Sequence, residues 1–368
     1  MNLKNLESSK YRGTVRETVK EVEALRLDPN NPVDMSFGDY VQRKHGVSLD
    51  SYLLDLGIAP GVDTINNIFT VPDDDVRWVV PEIIRTALLL GYRKAPIWPN
   101  IIAAEENTTG LSQILPWINM SDAAPRKVAE AETIPVGTIS YGQKKFGIYK
   151  IGRGIKIPYE VLQYVSLDVI SIFLRDFGVK LGHAMDVLAI DCLINGEQAD
   201  GSESAPVIGT ATGDPSTKAY KDFLKIWIRL SRMGRLPNTI IGGEDAALAT
   251  LDLTEFKTPV VGVPAETLIM KTPIPQSTNY YIHGNIPTNQ EIILDPSNAL
   301  IKFNAQPLLV ESERIVSNQT EAFYASLTTG FAKIFRDSTI IMDSSKAFSG
   351  YGFPSYMDIT ALENVTID

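Results

Sequence analysis

From Leu167 onward the apolar positions take helical spacing. Leu167, Ile170, Leu174, Phe177, Leu181, Ala184 and Leu188 stand 3, 4, 3, 4, 3 and 4 residues apart, which draws one seam down a rod. Val169, Ile172, Val179, Val187 and Ile190 widen that seam, so the rod is expected to touch protein on more than one side. Pro158 suits a first helical turn, Ser166 a second start, and Asn195-Gly196 a stop. About 28 residues at 1.5 Å each make a rod about 40 Å long. Gly178 and Gly182 lie inside it at about 1 kcal/mol each against alanine, which implies that another backbone passes close by. Just upstream the period changes to two. In Tyr149 to Ile157 the odd positions read Tyr, Ile, Arg, Ile, Ile and the even ones Lys, Gly, Gly, Lys, the pattern of a strand with one covered face. With Val128 to Pro135 as the outgoing strand and Tyr141 to Gly147 as the tip, this predicts a polar hairpin with no core of its own.

Before the hairpin, residues 1 to about 30 read as a charged helix with Val15, Val19, Val22 and Leu25 on one side. Phe37 to Lys44 and Leu49 to Leu56 read as short helices. Pro72-Asp-Asp-Asp75 opens another helix with Trp78, Ile83, Ile84, Ala87, Leu88 and Leu90 on its apolar face and Gly91 as its stop. Its aspartates suit the positive end of the helix dipole and make a poor metal cage, since consecutive carboxylates point apart. Residues 95 to 125 read as irregular, pinned by Trp98 and Trp117. Later come a helix from Lys218 to Met233, a strand and turn in Leu236 to Gly243, and a short helix from Glu244 to Leu253. Strands follow near Val261 to Pro264 and in Leu268 to Thr272, Glu291 to Asp295, Ala299 to Phe303, Leu308 to Glu313, Phe323 to Phe335 and Ser338 to Met342.

Composition is that of an ordinary folded protein: 368 residues, 44% hydrophobic, 21% charged. The net charge of −10 argues against a tight grip on nucleic acid, which needs clustered Lys and Arg. The one cysteine, Cys192, excludes an intrachain disulfide. No apolar run approaches the ~20 residues of a membrane helix. Catalytic material is sparse, and no catalytic, cofactor-binding or metal site is expected. His45, His183 and His283 are far apart with no ligand spacing, and His183 reads as a spine histidine satisfied in the interior or at an interface. Metal-protease, P-loop and hydrolase-elbow motifs are absent, and Ile151-Gly-Arg-Gly154 lacks the third glycine of a dinucleotide fingerprint.

The order of these elements from Pro125 to Met342, with the local phrases Leu193-Ile-Asn-Gly196 and Ile208-Gly209, resembles the major capsid protein family of tailed bacteriophages. The resemblance implies an α+β chain of the Hong Kong 97-like capsid fold, with a long spine helix, an extended hairpin loop, peripheral and axial domains and an N-terminal arm. It divides the chain into N-terminal arm and helices (1–125), extended loop (126–157), peripheral domain with the spine (158–209), axial domain (210–310), and return strands with a C-terminal tail (311–368). It implies a non-enzymatic shell protein whose main partner is itself, as hexamers and pentamers enclosing double-stranded DNA without sequence specificity. Separate scaffolding, portal and decoration proteins would attend it, no membrane would, and the virion, assembled in the bacterial cytoplasm, would be its place.

Residues expected to touch neighbouring copies are Ile139, Tyr141, Lys144, Lys145, Phe146, Ile148 and Tyr149. Those expected to seat the spine are Leu167, Ile170, Leu174, Phe177, Leu181 and Leu188. Some members of the family cross-link a lysine at the hairpin tip. Here Gln143 takes that place with Lys144 one residue on, and no asparagine or glutamate partner can be named, so salt bridging is the simpler role. Only residues 1 to 26 look like a charged helix, so a fused scaffolding segment is expected to be absent or very short. Two other readings stay open: an encapsulin-type bacterial shell, for which the chain is long, and a soluble α/β enzyme with an unrecognised site.

Overall fold

The computed structural model describes residues 14–26, 35–58, 79–94, 96–108, 112–118, 130, 139–197, 203–253 and 278–358. The Pro72–Asp75 helix start, Trp78, the Val128–Pro135 strand and the expected strands at Val261–Pro264 and Leu268–Thr272 lie outside them. The chain opens with helices α1 (Val15–Arg26), α2 (Phe37–His45), α3 (Leu49–Asp55) and α4 (Val79–Tyr92). Ser36 and Ser48 cap α2 and α3 by accepting the N–H groups of Asp39 and Ser51. Val15, Val19 and Val22 bury one face of α1. At its end Arg26 makes a two-pronged ion pair with Glu82 of α4, at 2.7 and 2.8 Å, and donates to the Met35 carbonyl. The described part of the expected N-terminal arm is therefore packed against its own chain; Leu25 alone of the four apolar residues stays exposed.

The spine, α6 (Leu167–Asn195), follows the short α5 (Tyr159–Tyr164). Ile170, Leu174, Phe177 and Leu181 are buried, but the stripe then continues through Met185, Ala189 and Leu193. Ala184 and Leu188 are only half buried. The expected seam kept a 3.5-residue repeat, whereas a straight α-helix turns every 3.6 residues, so by the last turns the buried line has moved on by one position. The side chain of Leu167 lies outside the described residues.

The spine's main partner is α4, and the crossing is built on glycine. A Cβ on Gly178 would fall inside the Leu88 carbonyl, and one on Gly91 inside the Arg175 carbonyl. Gly91 is thus a contact point rather than a helix stop, and α4 runs past it to Tyr92. At the far end, Lys333 is buried and donates to the carbonyls of Leu193 and Glu203 at 2.8 and 3.1 Å. Its charge sits where the helix dipole is negative and carbonyls lack partners.

Two sheets flank the spine. In the first the order is β1-β9-β10-β4, with β1 (Ile102–Asn107), β4 (Tyr149–Pro158), β9 (Leu300–Ile315) and β10 (Thr320–Lys333). β4 pairs with β10 over its whole length, from Tyr149 opposite Thr329 to Pro158 opposite Thr320. The second has the order β5-β11-β8-β6-β7, from β5 (Val207–Thr210), β6 (Thr239–Gly242), β7 (Asn279–Ile282), β8 (Gln290–Leu294) and β11 (Thr339–Ala347). Its paired isoleucines divide by strand alternation. Ile241, Ile292 and Ile341 join the core of α1 to α4 and the spine. Ile240, Ile293 and Ile340 join a second core under α7 (Tyr220–Arg232). The short helices α8 (Glu244–Leu251) and α9 (Pro296–Ala299) complete the chain.

Several expected boundaries shift. The strands read at Ala299–Phe303 and Leu308–Glu313 are one strand, β9, so a boundary at 310 would cut it, and one at 209 would cut β5. The described residues of the stretch 95–125, read as irregular, hold β1 and β2 (Ser112–Ile118). Finally, Tyr149–Ile157 belongs to the first sheet and not to a hairpin arm.

The crossing makes a sharp prediction. Gly178→Ala forces the α4 and spine backbones apart and destabilises the chain by about 1–3 kcal/mol, despite the better helix propensity of alanine. At Gly182 an added Cβ would stand 3.1 Å from the Tyr92 carbonyl oxygen, a milder conflict, so Gly182→Ala should cost clearly less than Gly178→Ala. Urea unfolding midpoints at unchanged m-value distinguish the two; equal midpoints would contradict this account of the crossing.

Candidate functional site

One element stands apart from the two large sheets, a ribbon of two antiparallel strands. β2 pairs with β3 (Ile139–Gly147), from Ser112 opposite Gly147 to Ile118 opposite Ile139. Tyr141 to Gly147, read from sequence as a hairpin tip, is therefore the returning strand. Ile139, Lys144 and Lys145 take their places opposite Ile118, Leu115 and Ile114; the side chains of residues 139–145 lie outside the described ones. β2 and β3 form a sheet of their own, and a lone pair of strands is marginal in water without further cover.

The root of the ribbon is held firmly. Phe146 is buried with its ring centroid 4.3 Å from that of Phe303. Ile148 and Ala332 close the same small core. Phe146 and Ile148, expected to meet a neighbouring copy, instead anchor the arm within their own chain; their apolar surface is consumed there. Tyr149, one step further, remains half exposed. Gly147 donates its N–H to Glu197 beyond the C-terminus of the spine, at 3.5 Å. Burial, with Glu203 and Asp191 nearby, pushes the Glu197 carboxyl above its ordinary range despite that hydrogen bond.

A second open surface lies at the start of the spine. Tyr164 is 78% exposed, Val169 43%, Ile172 62% and Phe173 65%. Residues 169, 172 and 173 share one helical face. Further along, the same face turns polar through Asp176 and Lys180, which pair at 2.7 Å. The sheet edge at β4 is different in kind: Lys150, Arg153 and Lys156 are exposed along it, charges that discourage casual strand pairing. Sequence reasoning found the spine and read Val169 and Ile172 as touching protein on a further side; within the chain both are exposed, as are Phe173 and Tyr164, which the periodicity did not single out.

The described residues contain no helix long and apolar enough to cross a membrane. No family model and no curated protein matches the sequence. Solved structures do match in shape. The structure from Microbacterium phage Oxtober96 aligns with TM-score 0.50 at 11% identity, over 68% of this chain and 91% of that one. The chain has the Hong Kong 97-like capsid fold. Other matches with capsid or shell proteins include the virus-like particle from Pyrococcus furiosus (TM-score 0.48, 13% identity, 71% of this chain and 98% of that one). The holo-SrpI encapsulin complex from Synechococcus elongatus matches with TM-score 0.47 at 10% identity, over 72% and 92%. α6 is the long helix expected as the spine.

Two predictions test the root of the ribbon. Phe146→Ala removes a buried ring and costs about 3–5 kcal/mol. Hydrogen exchange should rise most across β2 and β3, with β8 and β11 much less affected; a uniform rise would show that Phe146 does not anchor the ribbon. Glu197→Gln removes a carboxylate whose ionisation opposes folding. Because the folded-state pKa lies above the ordinary 4.5, the wild type loses stability as pH rises from 4.5 through that raised value. The variant should therefore gain relative to wild type above pH 4.5 and show no such gain below it. A gap that widened on acidification would reverse the sign and refute the assignment.

Proposed function

We propose that this chain is the major capsid protein of a tailed bacteriophage, and that its copies close into an icosahedral head of hexamers and pentamers around packaged double-stranded DNA. The observation that carries this reading is the apolar surface left open on a capsid fold at the front of the spine, at Tyr164, Val169, Ile172 and Phe173. An apolar helical face exposed to water calls for cover. In a shell of identical subunits the economical cover is another copy. The ribbon of β2 and β3 supplies a second contact, extending from a fixed root toward a neighbour. Individual contacts in a closed shell need only modest strength because each subunit makes several. The net charge of −10 suits a container that confines DNA rather than reading it. Separate scaffolding, portal and decoration proteins, and assembly in the bacterial cytoplasm, complete the proposal.

An encapsulin-type compartment uses the same walls and differs in what they enclose. Electron microscopy of the purified chain should find closed particles, and nucleic acid rather than an enzyme cargo should accompany particles from infected cells. A double change, Ile172→Glu with Phe173→Glu, alters exposed positions and should move folding stability by no more than about 0.5 kcal/mol. It should leave the chain as unassembled subunits in sedimentation. Normal shells from that variant would remove the spine surface from the proposal.

A further inference from the structure

Chemistry that neither the fold nor shell formation requires lies where the spine meets the loop after β7. His183 and Asp186 are three residues apart on one face of α6, and His283 directly follows β7. Sequence spacing gives no sign of the group, because a hundred residues separate the two histidines; folding brings their rings to a centroid distance of 6.2 Å. One ligand atom from each of the three side chains lies within 4.8 Å of the others, and His183 Nδ1 stands 3.8 Å from Asp186 Oδ2.

The carboxylate is what singles this cluster out. Asp186 is fully buried. Its Oδ1 accepts the N–H groups of Ile97 and Trp98, both at 2.8 Å, and so holds the turn that leads into β1. Its Oδ2 is equally buried and has no hydrogen-bond partner, an arrangement that folded proteins avoid unless the atom has a use. A structural cap alone would need only Oδ1. The second oxygen is left facing His183.

We propose that His183, Asp186 and His283 bind a divalent transition-metal ion, Zn²⁺ foremost. Two imidazole nitrogens and one carboxylate oxygen are a zinc donor set, whereas Mg²⁺ and Ca²⁺ ask for oxygen alone. Tetrahedral zinc with bonds of about 2.0–2.2 Å places its ligand atoms roughly 3.4 Å apart, so the three groups need only draw together slightly. His183 is exposed and able to turn, and the open side leaves room for water as a fourth ligand. His283 Nδ1 accepts the Asn285 N–H at 3.2 Å. Binding the metal through either ring nitrogen gives up that one bond and gains a coordinate bond. The ion would fasten three parts of the chain at one point: the spine, the turn at Ile97 and Trp98, and the β7–β8 loop of the second sheet. The site does not depend on the shell reading.

Calorimetric titration of the chelator-treated full chain with ZnCl₂ should give one ion per chain, with a rise in melting temperature that MgCl₂ does not produce. Co²⁺ in place of Zn²⁺ should develop the visible bands of tetrahedral cobalt. Asp186→Asn keeps an Oδ1 for Ile97 and Trp98 while removing the anionic ligand, and His183→Ala alters an exposed residue. Each should weaken Zn²⁺ binding at least tenfold, in chains whose metal-free circular dichroism matches the wild type. No saturable Zn²⁺ binding below about 0.1 mM, or equal affinity in both variants and the wild type, would overturn the assignment.

Discussion

Where α4 crosses the spine, Gly91 and Gly178 let two helix backbones meet with no side chain between them, and the geometry on both sides follows from that contact. A β-carbon at either position would enter a carbonyl, so the approach is set by backbone atoms, which cannot repack as side chains do. With α4 fixed on the spine, the turn after it arrives beside Asp186, which takes the N–H groups of Ile97 and Trp98. β1 leaves that turn already aligned to add in parallel to β9. Trp98 is buried under the Lys302 ammonium, 3.8 Å from its ring, so the first sheet is tied to the same crossing from its other side.

The ribbon inherits its position from this frame. Gly330 of β10 passes so close to the Gly147 carbonyl that a side chain there would collide with it, and Phe146 seats against Phe303 of β9. The root of the arm is thereby fixed to the two longest strands, and the strands beyond it pair only with each other among the described residues. Such a lever has a rigid base and a far end whose stability depends on what it meets. That combination suits a contact between copies of the chain of the kind proposed above.

Much of this was legible in the sequence, for reasons that can be named. The spine shows because 29 helical residues repeat the same period many times, and its glycines announce a close neighbour because nothing else offsets their cost. Tyr149 to Ile157 reads as a strand because one face is covered. The topology did not show. Whether Tyr149 continues a hairpin or enters a larger sheet depends on β10, some 170 residues away, and local alternation is the same in both cases. Phe146 was misplaced for the same reason: an aromatic beside glycine in a polar strand looks like surface until Phe303 is known to lie against it. β1, with the sequence Ile-Ala-Ala-Glu-Glu-Asn, has no alternation, since it is an edge strand exposed over most of its length. The meeting of His183 with His283 has no local signal of any kind.

The joints inside the subunit and the surface offered outside it use opposite kinds of interaction. Inside, several joints carry a buried directional bond: Arg26 to Glu82 between α1 and α4, Arg85 to the Leu308 carbonyl between α4 and β9, Lys333 to the Leu193 carbonyl between β10 and the spine, and Lys218 to Glu291, with Thr250 and Tyr280 on the same carboxylate. Buried ion pairs add little net stability once desolvation is counted, yet a broken one costs several kcal/mol. Their effect is to exclude alternative packings rather than to deepen the native one. Outside, the front of the spine offers Val169, Ile172 and Phe173, which attract by area and are indifferent to angle. For the shell subunit proposed above, this division would keep one internal shape through directional bonds and leave the contact between copies to undirected apolar surface.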